Sequence, residues 1–184
     1  FFKFDVRGKE NYKNLKKPFI LAANHASYLD GELIVVALPW NSEFFPIRYT
    51  AAEYIYNQLI LGAILWILGG FPIIQGIGLD KSLARAISLL KGDEVIGIFP
   101  EGRMTRDGKL GEGKPGIAYL ALKTGLPILP VGVSGTFGLS PKKILSYFLF
   151  RRKPIKITFG KPFYLQDFIG EHNPDPEKDK EILT

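Results

Sequence analysis

A chain of 184 residues with 46% hydrophobic and 23% charged side chains is sized and composed for one folded domain, not a disordered segment. Twenty-four Lys and Arg against eighteen Asp and Glu leave a formal net charge of +6, which favours an anionic partner: nucleic acid, an anionic membrane or a phosphate-bearing substrate. The absence of cysteine excludes disulfides, thiolate metal sites and a cysteine nucleophile, and it agrees with a reducing compartment.

The opening FFKFDVRG has no charged region followed by a long apolar run, so no signal peptide is expected, and a start at Phe1 reads as a piece that has lost an upstream segment. PFILAA, residues 18–23, is predicted as a short buried strand, and GELIVVAL, residues 31–38, as the following helix with Asp30 at its N-cap. EFFPIRY, residues 43–49, is a weak strand in which Pro46 counts against a central position. Thr50 and Glu53 of TAAE form a capping box, opening a helix that runs to about Leu68 and stops at Gly69 and Gly70. FPII is a short strand. Asp80 caps KSLARAISLLK, whose apolar residues at 83, 86, 87 and 90 share a helical face that Gly92 ends. EVIGIF, residues 94–99, is a buried strand, and KPGIAYLALKTG is a helix with Pro115 in its first turn and Gly125 past its end. LPILPVGVSG is a further buried strand, and PIKITFG, residues 154–160, a strand near an edge. Strands alternating with helices predict one α/β layered domain, a mostly parallel sheet flanked by helices, over residues 1–170, with a polar tail at 171–184.

Two segments carry chemistry. NHASYLD, residues 24–30, follows a buried strand directly. Five helical steps would set His25 and Asp30 about 140° apart, so a shared helix face does not bring them together. A strand end followed by a turn can return Asp30 to the imidazole of His25. An acid on one ring nitrogen fixes the tautomer and leaves the other nitrogen free to take a proton from a hydroxyl. FPEGRMTRDGKL, residues 99–110, leaves another buried strand and sets Glu101, Gly102, Arg103, Arg106 and Lys109 in one polar loop. Its cations suit a phosphate, and Gly102 lets backbone approach a ligand. Both segments stand at carboxyl ends of strands, where open α/β sheets bind ligands.

Together these residues resemble the glycerophospholipid acyltransferase family, typified by lysophosphatidic acid acyltransferases. Its first block, NHxxxxD, is present as Asn24, His25 and Asp30, its third as Phe99 to Gly102, and its fourth, a Pro-rich apolar strand, as Leu126 to Pro130. Order and spacing match over roughly residues 5–165. The second block departs: Gln75 stands where the family has an arginine for the acceptor's phosphate. In the third, Arg103 comes one place early and Met104 replaces the usual arginine, a pattern that looks like the branch reacylating lysophosphatidylethanolamine. The resemblance implies His25 as catalytic base and Asp30 as its orienting partner. Asn24, Gln75, Glu101, Gly102, Arg103, Arg106 and Pro130 are implied at the acceptor, with Arg103 and Arg106 supplying the charge that Gln75 lacks. The implied reaction moves an acyl group from acyl-CoA or an acyl carrier protein to the free hydroxyl of a lysophospholipid such as 1-acylglycerol-3-phosphate. It needs no metal or other cofactor and no nucleic acid. The expected place is the cytoplasmic side of a membrane, peripheral or anchored through an upstream segment. A non-catalytic anionic-lipid or nucleic-acid binding module is the alternative from another class.

The membrane expectation has residues of its own. YIYNQLILGAILWILGGFPII, residues 54–74, is apolar without interruption only over Leu59 to Leu68, short of the about 20 residues a span needs. It is either a core helix or a helix whose exposed side lies in the bilayer interface. KKILSYFLFRRKP, residues 142–154, sets apolar residues between basic clusters, which suits an anionic surface. GKLGEGKP nearly spells a P-loop, but Pro115 stands where Ser or Thr should hold magnesium. His172 falls in the polar tail and is expected to be solvated.

Overall fold

The computed structural model describes residues 4–39, 41–139 and 154–169. Its strands are Phe4–Arg7 (β1), Ile20–Ala23 (β2), Ile47–Ala52 (β3), Phe71–Ile73 (β4), Val95–Ile98 (β5), Ile128–Ser134 (β6) and Ile155–Phe159 (β7). Helical segments among the described residues are Lys9–Tyr12 (α1), Asp30–Ala37 (α2), Glu53–Tyr56 (α3), Leu59–Ile67 (α4), Leu79–Lys91 (α5), Gly116–Thr124 (α6) and Gln166–Ile169 (α7). The strands join one sheet in the order β1-β7-β6-β2-β5-β3-β4, and every neighbouring pair is parallel except β6 with β7. This is the predicted layered α/β architecture.

Successive side chains of a strand point to opposite faces, so a sheet covered on both sides builds two cores. On one face Leu21 and Ala23 of β2 pack with Ile34 of α2 and with Ile155, Ile157 and Phe159 of β7. On the other, Ile20 packs with Leu83, Ala86 and Leu90 of α5 and Leu120 of α6. All four residues of β5 are buried, as a central parallel strand requires. The predicted apolar stripe of α5 is the observed one, with Ile87 at its margin.

Local expectations fail where long-range pairing claims the same atoms. Thr50 starts no helix, because Thr50, Ala51 and Ala52 pair with Phe71, Pro72 and Ile73, and α3 begins only at Glu53 with no side-chain cap. Asp30 is not an N-cap: α2 begins with Asp30 itself, and its carboxylate turns back to the preceding loop. Asp80 does not cap α5 either, since Gly78 precedes the helix and Asp80 Oδ1 accepts a hydrogen bond from Tyr119 Oη, tying α5 to α6. Pro46 lies outside β3, which starts at Ile47 and takes an inner place between β5 and β4. The helix expected to reach Leu68 is split at Asn57 and Gln58 into α3 and α4. β7 is near an edge as expected, one place in from it, and what local reading missed is β1, the FDVR strand outside it.

Of the two readings of the Leu59–Leu68 stretch, the core helix is excluded. Within α4 only Gly62 is buried, whereas Leu59 is 91% exposed, Ile67 74%, Ile60 73% and Trp66 70%. Among the described residues no helix is long and apolar enough to cross a membrane. The basic-apolar stretch at 142–153 and the tail at 171–184 with His172 lie outside the described residues.

Candidate active site

β2 and β5 are parallel neighbours, so the segments after them, Asn24–His25 and Phe99–Gly102, emerge at the same edge of the sheet. Asn24 first extends the ladder: its Nδ2 donates to the Val133 carbonyl at 2.9 Å and its Oδ1 accepts from the Val133 N–H at 2.7 Å. That double bond to β6 fixes where the chain leaves the sheet. The His25 N–H donates to Glu101 Oε1 at 2.9 Å, and the His25 carbonyl accepts from the Thr105 N–H at 2.8 Å. The backbone of His25 is thus held on both sides by the loop after β5.

The imidazole is oriented by Asp30, with 3.0 Å between His25 Nδ1 and Asp30 Oδ2. Asp30 is fully buried. Its Oδ2 also accepts from the N–H groups of Ala26 at 2.6 Å and Ser27 at 2.7 Å, while Oδ1 accepts from Ser27 Oγ at 2.7 Å. Burial alone would raise its pKa, but hydrogen bonds from His25, Ser27 and Ala26 outweigh that and hold the carboxyl below its ordinary value. An ionised carboxylate only accepts, so Nδ1 carries a proton and Nε2 is the nitrogen available to take another.

Aromatic rings fix the imidazole from the side. His25 stacks on Phe99 with centroids 4.0 Å apart and planes 14° apart, and Phe99 stacks on Tyr49 at 5.7 Å and 19°. Tyr49 lies opposite Gly97 in the β3–β5 ladder, and a Cβ on Gly97 would fall 2.3 Å from the Tyr49 ring. The missing side chain is what lets the row of three rings sit over β5. Gly97→Ala is expected to destabilise the fold by about 1–3 kcal/mol through overpacking and to lower turnover with it. Thermal melting and a rate assay check this, and an unchanged Tm with an unchanged rate would show that the stack has slack. Burial, with help from the charges of Glu32 and Asp30, drives the Tyr49 pKa far up, so the phenol stays neutral, and its hydroxyl is buried without a hydrogen-bond partner among the described residues.

His25 opens onto a cleft of about 870 Å³, within the usual range for small-molecule sites. Val35, Ile55, Leu65, Leu68 and Leu79 give it long apolar walls. Of the residues singled out in the sequence, Gln75, Gly102, Arg103 and Met104 line it with His25. Asn24 and Glu101 do not: the amide of Asn24 is spent on β6, and Glu101 is buried with Oε1 on His25 N–H and Oε2 on Gly111 N–H at 2.9 Å. Both position the loops that carry the site. Arg106 is exposed outside the cleft. Pro130 sits within β6 opposite Ala22, its carbonyl accepting from Gly160 N–H, and takes no part in the cleft wall. Sequence reasoning missed Ser27, Tyr49, Glu32 and Lys114. Glu32 lines the cleft, and burial followed by the charge of Asp30 pushes its pKa up. Lys114 was visible only as part of a failed P-loop. No cluster of metal-ligating side chains occurs among the described residues.

Known proteins are similar to this chain. The chain is 27% identical over 166 residues to the chloroplastic 1-acyl-sn-glycerol-3-phosphate acyltransferase BAT2 of Brassica napus, covering 89% of this chain and 46% of that protein. It is 28% identical over 174 residues to the 1-acyl-sn-glycerol-3-phosphate acyltransferase of Bacillus subtilis, covering 94% of this chain and 79% of that one. It therefore spans less than half the length of the plant relative. The crystal structure of the 1-acyl-sn-glycerophosphate (LPA) acyltransferase PlsC of Thermotoga maritima superposes with a TM-score of 0.65 at 22% identity, covering 100% of this chain and 70% of that one, and shows a common fold. The family model described as Acyltransferase matches residues 3–134, a stretch that holds both strand-end loops, and on that match the chain belongs to the acyltransferase family.

Proposed function

We propose that this chain transfers a fatty acyl group from acyl-CoA or an acyl carrier protein to the free hydroxyl of a lysophospholipid. The observation that carries this reading is the His25–Asp30 pair at the wall of a long, mainly apolar cleft. His25 Nε2 takes the proton of the acceptor hydroxyl as its oxygen attacks the thioester carbonyl. The carbon–sulfur bond breaks, and the imidazolium returns the proton to the leaving thiolate. Asp30 holds the reactive tautomer and stabilises the imidazolium. The apolar walls receive acyl chains. A binding module has no use for a buried carboxylate steering an imidazole, so the catalytic reading is preferred.

The experiment is acyl transfer by purified protein with acyl-CoA and a panel of lysophospholipids in mixed micelles, following released thiol with a thiol reagent. A chain without cysteine adds no background. Thiol release that requires a lysophospholipid supports the reading. Release that no acceptor stimulates, with either acyl carrier, defeats it.

The same proposal places α4 against the membrane that supplies the acceptor. Leu65 and Leu68 of this segment line the cleft, while Ile60, Trp66 and Ile67 stand exposed on its outer side, so the apolar surface continues from the bilayer to the site. Ile60→Asp with Ile67→Asp is expected to weaken co-sedimentation with liposomes about tenfold or more. Undiminished co-sedimentation would remove α4 from the membrane contact.

A further inference from the structure

Among the described residues two cationic side chains, Arg103 and Lys114, line the cleft that His25 opens onto. Lys114 belongs to none of the motifs that pointed to the site. The chain leaves Gly102, runs through an exposed loop and is drawn back by two bonds: Gly111 N–H to Glu101 Oε2 at 2.9 Å, and Lys114 N–H to the Pro100 carbonyl at 2.8 Å. This return lays the end of the lysine across Gly102. A Cβ built on Gly102 would lie 2.9 Å from Lys114 Cδ, Cε and Nζ alike. Gly102 has φ of +64°, where side chains are disfavoured, so its backbone also favours the bare surface on which the lysine rests.

Neither cation is paired with a carboxylate among the described residues. Of the acids nearby, Glu101 has both oxygens engaged by backbone N–H groups, and Glu32, which lines the cleft, forms an ion pair with neither cation. Two cations that no carboxylate pairs, against the single carboxyl of Glu32 among the described residues of a mostly apolar cleft wall, point to an anionic ligand group. We propose that Lys114 and Arg103 form a phosphate seat beside His25, with Lys114, and not Arg106, as the second cation. Arginine supplies a planar fork for two phosphate oxygens, and lysine a point charge. The inference rests on the acyltransferase reading for the ligand's identity. Both reactants of that reaction can carry phosphate, the acceptor in its head group and acyl-CoA in its carrier.

Steady-state kinetics of Lys114→Ala, with acceptor and acyl-CoA varied in turn, tests the seat and identifies its occupant. The lysine is exposed, so the variant should fold, and a melting curve checks it. One KM should rise by about tenfold to hundredfold with a smaller change in kcat. Lys114→Arg should recover most of the loss, and Lys91→Ala, which removes an equal charge at the far end of α5, should change neither KM. A rise confined to the lysophospholipid assigns the seat to the head group, and a rise confined to acyl-CoA assigns it to the carrier. Both KM values within about twofold of the parent overturn the proposal. Calorimetric titration with glycerol 3-phosphate reads the seat without turnover: binding that Lys114→Ala abolishes keeps the seat even if the acyltransferase reading fails, and titration curves alike in both proteins reject it as a head-group site.

Discussion

Replacing His25 with alanine is expected to lower kcat for acyl transfer by about a thousandfold while leaving the fold intact, because general-base catalysis contributes about 10²–10⁴. The imidazole is one-fifth exposed, with 21% of the side chain open to the cleft, so its loss opens space that solvent can fill. The backbone bonds of His25 to Glu101 and Thr105 survive the substitution. Asp30 keeps its bonds from Ala26 and Ser27. The stability cost should therefore be near that of one hydrogen bond, about 1 kcal/mol. Thiol-release kinetics and thermal melting separate the two effects. A variant that keeps a tenth or more of the parental rate removes His25 from the chemistry, whatever its stability.

The sequence disclosed His25 and Asp30 because both sit in one short segment whose strand-end position can be read locally. It disclosed the sheet because apolar strands alternate with patterned helices. Contacts between distant segments were hidden. Asn24 reaches Val133, and Glu101 reaches back to His25, across separations that no local pattern encodes. Both were therefore read as ligand-facing, when their polar atoms belong to the loops and the sheet. Lys114 was overlooked for the same reason, since only the folding-back of the 102–114 loop puts it over Gly102. β1 escaped notice because four residues, FDVR, make a strand only when β7 lies alongside. The row of rings from His25 to Tyr49 depends on Gly97, whose role is to be small, and a glycine in a strand pattern announces a close approach without saying of what.

Asp30 allows shape and charge to be tested apart. Asp30→Ala leaves the N–H groups of Ala26 and Ser27 and the imidazole without their acceptor in a fully buried site, and should cost about 3 kcal/mol or more besides activity. Asp30→Asn is the informative variant. An amide oxygen in the place of Oδ2 can still accept from Ala26, Ser27 and His25. The amide nitrogen in the place of Oδ1 can donate to Ser27 Oγ, whose hydroxyl is free to turn. Fold and tautomer should persist, while the charge that steadies the imidazolium is gone, and kcat should fall by about a hundredfold or more at neutral pH. The two proteins should also differ in acid. The pKa of Asp30 lies below its ordinary value of 3.8 in the folded chain, so the ionised form contributes stability that is fully present above that value. That contribution disappears as pH falls from the ordinary carboxylate range through the lower folded value. The asparagine variant has no proton to bind there, so its Tm should decline less steeply below about pH 4 than that of the parent. Parallel acid melting curves would mean that Asp30 is not held ionised by its donors, and a kcat unchanged in the asparagine variant would mean that its charge plays no part in catalysis.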